Sequence, residues 1–159
     1  MKQKSLARWL KAAVIGVGVI LIFVYAFVIP AYGASLVSQY PEFSNRYLPW
    51  LIFLSVTALP CFCALVLVWK IACSIGRDRS FTEKNAACLK YISLLAGADS
   101  AYFFLGNAVL LALNMSHPGI LLFSLAFVFA GIAAAICAAA LSHLVKKAAA
   151  LQEQSDLTI

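Results

Sequence analysis

The sequence predicts an all-α polytopic membrane protein, a bundle of four transmembrane helices with both termini cytoplasmic. Three observations carry that expectation. Hydrophobic residues make up 64% of the 159 residues and charged ones 11%, against roughly 25% charged in soluble domains, whose cores could not hide so much apolar surface. Four apolar runs each exceed the roughly 20 residues that cross about 30 Å of hydrocarbon at 1.5 Å per residue. Of the 12 Lys and Arg residues, all but Arg46 lie on one side of those runs, which the positive-inside rule assigns to the cytoplasm.

The first run, residues 12–37, follows Lys2, Lys4, Arg8 and Lys11. Ala31-Tyr32-Gly33 would serve as a signal-peptidase site, yet the apolar stretch is longer than the usual 7 to 15 residues of a signal peptide, so it is expected to remain as a span. An outer loop, Tyr40-Pro41-Glu42-Phe43-Ser44-Asn45-Arg46-Tyr47, comes next. Tyr40, Tyr47 and Trp50 are placed as interfacial anchors, and Pro49 is expected in the first turn of the second helix.

The second run covers residues 48–72. Its connection to the third carries Lys70, Arg77, Arg79, Lys84 and Lys90. Gly76 suits the end of one helix, Thr82 can cap the next, and Glu83 faces the positive end of its dipole. The third run, residues 86–113, ends at a short outer turn with Pro118 just before the fourth, residues 119–145. There Ala130-Gly131, Ala133-Ala134-Ala135 and Ala138-Ala139-Ala140 put small residues on more than one face, which permits close packing within the chain or a homodimer. Lys146 and Lys147 open a short cytoplasmic tail, 146–159, and the whole chain reads as a single membrane domain, 1–159. Pro30 and Pro60 bend their helices, as fixed kinks or as hinges.

Chemistry is sparse. Asp99 is the one carboxylate well inside a span, about nine residues or roughly 13 Å along the helix from Lys90. An ionisable group there is costly and marks either a hydrogen-bonded anchor or a proton or cation site. Tyr102, Ser100 and Asn107 on its own helix, with Ser55 and Thr57 on the second, are candidate neighbours. His117 and His143 stand about 39 Å apart on one helix and cannot share a metal. Cys61 and Cys63, two apart on a helix, point to different faces, and thiols in a reducing compartment are expected to stay free. Catalytic residues, metal ligands and cofactors are therefore expected to be absent, and the protein not to be an enzyme. The net charge of +6 is spread over segments flanking the apolar runs, which favours lipid headgroups over nucleic acid.

Several segments taken together look familiar: Tyr40-Pro41-Glu42, Leu59-Pro60-Cys61-Phe62-Cys63-Ala64-Leu65, Phe81-Thr82-Glu83-Lys84-Asn85 before Leu89-Lys90, Pro118-Gly119-Ile120, and the terminal Ser155-Asp156-Leu157-Thr158-Ile159. Their order resembles the bacterial four-span membrane proteins of domain of unknown function 2975. The Phe-Thr segment and the Asp-Leu-Thr-Ile end are its most specific parts. The resemblance implies a plasma-membrane protein whose gene accompanies that of a small helix-turn-helix transcription regulator, and hence a membrane partner that restrains or tunes such a regulator. It supplies no catalytic or binding residues.

The expected surface for that partner is the inner loop, with Arg77, Arg79, Phe81 and Thr82, together with Asp156, Leu157 and Ile159 of the tail. Phe81 is expected to pack onto the bundle and the tail to dock beside the loop. Two other readings stay open: a small proton-coupled transporter or exporter using Asp99, Tyr102 and Asn107, and a sensor of membrane state or of membrane-active peptides.

Overall fold

A peptide group in hydrocarbon finds no water to bond, so each long apolar run satisfies its own backbone by forming a helix. The computed structural model describes residues 3–156 as four helices, α1 (Gln3–Gln39), α2 (Ser44–Ile75), α3 (Glu83–Ala112) and α4 (Pro118–Asp156). All four are long and apolar enough to cross a membrane. Large apolar side chains such as Phe123, Phe129 and Leu122 are exposed along them, as a lipid-facing surface requires.

Each helix packs on the next in sequence. The α3–α4 interface is by far the most extensive, and α1 and α4, the two ends of the row, share no comparable one. Small residues set these contacts. Along α4, Ser124, Val128, Ala135 and Ala138 are buried and Gly131 belongs to the same seam, so spacings of four and three residues alternate as in a left-handed helix pair. A Cβ on Gly131 would overlap the Ser100 hydroxyl of α3. Near the basic end, Ser142 Oγ donates to the Ala86 carbonyl at 2.7 Å. At the same end α1 meets α2 through Ala7, Ala72 and Gly76, where Ala72 is fully buried and a Cβ on Gly76 would stand 3.3 Å from that of Ala7. Lys11 Nζ lies 5.4 Å from the centre of the Trp69 ring, covering apolar surface while reaching toward the headgroups.

Both prolines act one turn upstream of themselves. Pro30 has no N–H for the Ala26 carbonyl, and the preceding turn, Val24–Val28, widens into a π-helix in which Ile29 N donates to Val24 O. In α2 the helix breaks at Thr57, between Ser44–Val56 and Ala58–Ile75. Thr57 N bonds the Leu54 carbonyl at 3.2 Å, which releases the Phe53 carbonyl from its usual partner. Tyr102 of α3 donates its hydroxyl to that carbonyl at 3.2 Å. A neighbouring helix thus satisfies what the bend freed.

Gly76 stands at the end of α2, directly after Ile75, as expected, but in a right-handed conformation; the left-handed residue is Asp78, φ 59°. Asp78 N bonds Ile75 O and Arg79 N bonds Ser74 O, the paired bonds of a Schellman turn. Asn114, φ 55°, ends α3 in the same way, with bonds from Asn114 N to Leu111 O and Met115 N to Leu110 O. Gly76 also allows the close approach of Ala7. Pro49, expected in a first turn, falls inside α2, because that helix already starts at Ser44.

Candidate functional site

Three places on this frame hold the residues that sequence reasoning singled out. The first is the connection between α2 and α3. Thr82 caps α3, its hydroxyl accepting from Asn85 N at 3.2 Å. Asn85, only 4% exposed, places its side-chain nitrogen 3.1 Å from Ser74 Oγ, 3.0 Å from the Arg79 carbonyl and 2.9 Å from the Ser80 carbonyl. Two N–H groups serving three acceptors fix the loop against the start of α3. Ser74 Oγ donates to Arg79 O at 2.6 Å, and Ser80 Oγ donates to Gln3 Oε1 of α1 at 3.1 Å. The loop is therefore built from within and tied to the chain's first helix.

Arg77 and Arg79 stand exposed on that base. Phe81 is 54% exposed, which corrects the expectation that it packs onto the bundle: Asn85 fills the space beneath the loop, and the aromatic ring is turned outward. The tail begins as helix. Helix α4 runs unbroken from the apolar span to Asp156, because Lys146 to Gln154 is made of strong helix formers, so its described part forms no separate segment lying along the loop. Leu157 and Ile159 lie outside the described residues.

The second place is mid-membrane. A cavity of about 390 Å³ is lined from all four helices, by Tyr25, Thr57, Cys61, Asp99, Ser100 and Phe127 among others. Since α1 and α4 close the row only loosely, all four helices contribute walls without sealing a core. Tyr25 and Thr57 lie at the two bends, their oxygens 2.6 Å apart. Thr57 already donates its one hydroxyl proton to the Leu54 carbonyl at 2.7 Å, so Tyr25 is the donor. Asp99 Oδ1 is buried with no hydrogen-bond partner, and its carboxyl is within electrostatic range of Tyr25, Cys61 and Tyr102.

Only part of the expected Asp99 group is assembled. Tyr102 is near but committed to Phe53 O. Ser100 lines the cavity while donating back to Ala96 O at 2.8 Å. Asn107, 1% exposed, is not part of the lining; its amide donates to Phe103 O at 2.8 Å and its Oδ1 is unpartnered. Two turns separate it from Asp99 and turn it elsewhere on α3. Ser55 is exposed. Tyr25 and Cys61 were missed, and only the two prolines near them signalled a bend where polar groups could collect.

The third place, at the opposite end from the termini, is a groove of about 620 Å³ between α1, α2 and the start of α4. Tyr47 and Trp50, expected as interfacial anchors, also bond within the chain: Trp50 Nε1 donates to Met115 O at 2.9 Å, and Tyr47 OH makes a long 3.4 Å contact to Pro30 O.

Comparison with known proteins places the chain. The family model described as a protein of unknown function (DUF2975) matches residues 32–159. The chain belongs to the DUF2975 family. A relative of the same kind, an uncharacterized membrane protein, YoaS, from Bacillus subtilis (strain 168), is 29% identical over 155 residues, covering 95% of this chain and 96% of its own. No solved structure matches. The DUF2975 match starts beyond Pro30, so it takes in the basic loop, Asp99 and Arg46 but not Tyr25. With four apolar helices and this likeness along nearly its full length, the protein is a membrane protein.

Proposed function

We propose that this DUF2975 member is a cell-membrane interaction protein with both termini cytoplasmic, which docks a cytoplasmic regulatory protein on the loop between α2 and α3. The partner class is the helix-turn-helix transcription regulator implied by the family resemblance. One observation carries the reading: Asn85 and Thr82 hold a short loop rigidly so that Arg77, Arg79 and Phe81 project from it together. Two cations beside an exposed aromatic ring match the Arg and aromatic enrichment of protein-binding hot spots. Lipid headgroups compete for the same cations, so the loop separates from a pure anchor by its aromatic ring and its internal support.

Pull-down of the regulator encoded beside the gene, with the intact protein in detergent as bait, tests this. Arg77→Gln with Arg79→Gln, and separately Phe81→Ser, are expected to weaken capture by about tenfold or more. No capture by any form overturns the reading.

A second reading is favoured by the unpartnered Asp99 oxygen in a cavity walled by all four helices. There the protein is a small proton-coupled transporter or exporter. Asp99→Asn, which keeps size and shape, is expected to abolish pH-dependent flux in proteoliposomes while the folded fraction stays unchanged. Unaltered flux removes Asp99 from any such role.

A further inference from the structure

Arg46 is the single Lys or Arg on the far side of the four spans, and it lines the groove at that end. At about 620 Å³ the groove falls within the roughly 300–1,000 Å³ range of small-molecule sites. Its long walls are apolar, with Leu36, Val37 and Ile120 among them, and its polar groups gather where the chain leaves the membrane. Those groups can all donate. Besides the Arg46 guanidinium there is Ser116, whose hydroxyl is buried without a partner. There is also His117, whose Nδ1 accepts from Gly119 N at 3.0 Å, leaving Nε2 to carry the proton of the neutral ring. Among the described residues of the lining none is acidic.

A groove with a cation and further donors but no carboxylate at its mouth, and an apolar body, is complementary to an anionic head on a hydrocarbon tail. It is also open along one side, since Tyr32 on α1 and Tyr40 just beyond it are exposed, which leaves a lateral entrance wide enough for a lipid chain lying beside the helices. Gly33, on the same α1 wall, lets Tyr47 of α2 come close, because any Cβ there would meet the Tyr47 ring at 2.6 Å.

We propose that the Arg46 groove is a binding site for one anionic phospholipid of the adjacent leaflet, with the phosphate on Arg46, His117 and Ser116 and an acyl chain along Leu36, Val37 and Ile120. This site is separate from the basic loop at the other end and from the Asp99 cavity. It gives a reason for an arginine to stand where every other cation is withheld.

The test uses the full chain in phosphatidylcholine nanodiscs with a phosphatidylglycerol probe that carries a photoreactive diazirine on one acyl chain. Peptide mapping is expected to place the label on residues 36–37 or 120, and unlabelled phosphatidylglycerol to displace it while phosphatidylcholine does not. Arg46→Gln is expected to lower labelling at those positions about tenfold, Arg46→Lys to retain most of it, and the Arg77→Gln, Arg79→Gln pair to leave it unchanged. Val37→Trp, which fills the groove and keeps its charge, is expected to block labelling as well, and decides the matter if Arg46→Gln does not fold. Equal labelling by a phosphatidylcholine probe overturns the site, as does labelling indifferent to both Arg46→Gln and Val37→Trp. Displacement by free phosphate or by a fatty acid as effective as that by phosphatidylglycerol overturns the phospholipid assignment.

Discussion

Helices α3 and α4 are joined along their length by small residues and a hydroxyl bond at the basic end, whereas α1 and α2 are both interrupted near their middles and touch there through polar groups. The same bilayer constraint produces both pairs. In α3–α4 the backbone bonds are complete within each helix, and closeness comes from Gly131, Ala135 and Ala138. In α1–α2 the bends displace backbone bonds: Tyr102 of α3 takes up the freed Phe53 carbonyl, and Tyr25 joins the two bends by donating to the Thr57 hydroxyl. One half is a fixed hairpin. The other is a pair of bent helices laid against it, and the Asp99 cavity lies where the two halves face each other.

Breaking the fixed half should cost most. Gly131→Leu forces a branched side chain into the space of the Ser100 hydroxyl and is expected to destabilise the protein by about 3 kcal/mol, the upper end for overpacking. Thermal unfolding in detergent measures it. An unaltered midpoint would mean that the seam is not as close as described. Asn85→Ala acts at the junction of the two halves, leaving the Ser80 carbonyl without its buried donor and the Arg79 carbonyl with Ser74 Oγ alone, at about 2 kcal/mol. Hydrogen exchange is expected to accelerate over residues 77–82 far more than in α4, and uniform acceleration would show that the loop is held in some other way.

The bent half should respond more weakly. Tyr102→Phe removes a single hydroxyl bond, which inside membrane proteins averages only about 0.6 kcal/mol. Its expected signature is a changed bend in α2, read by spin-label distances across Thr57, with little change in midpoint. Smallest of all is Gly16→Ala, since nothing lies within 4 Å of a Cβ there. It is expected to shift stability by about 0.5 kcal/mol or less, measured beside Gly131→Leu as a control for glycine replacement itself.

The four helices were legible because hydrocarbon thickness leaves few ways to lay out runs of that length, and the Thr82 cap because its residue types carry the geometry. The bends were legible only in part. Pro30 and Pro60 announce them, but the displaced bonds fall a turn earlier, at Val24–Val28 and Thr57, where the sequence shows ordinary membrane residues. The cavity was half hidden for a related reason: Asp99 is conspicuous, while Tyr25 and Cys61 enter only once two separate helices are bent toward it. Phe81 was misjudged because an aromatic next to a membrane is as ready to point out as in, and the deciding residue was Asn85, which takes the place beneath the loop. The helical continuation past Lys147 could have been read from Ala, Leu, Gln and Glu alone.

That continuation has a practical consequence. Ser142 stands level with Ala86 near the start of α3, so α4 carries on for roughly eleven residues, or about 16 Å, beyond its neighbour. It is a ready splice point. A rigid helical protein fused in frame within residues 147–154 would inherit the direction of α4, giving a 17.1 kDa chain the bulk and asymmetry that single-particle imaging needs, without touching the loop, the cavity or the groove.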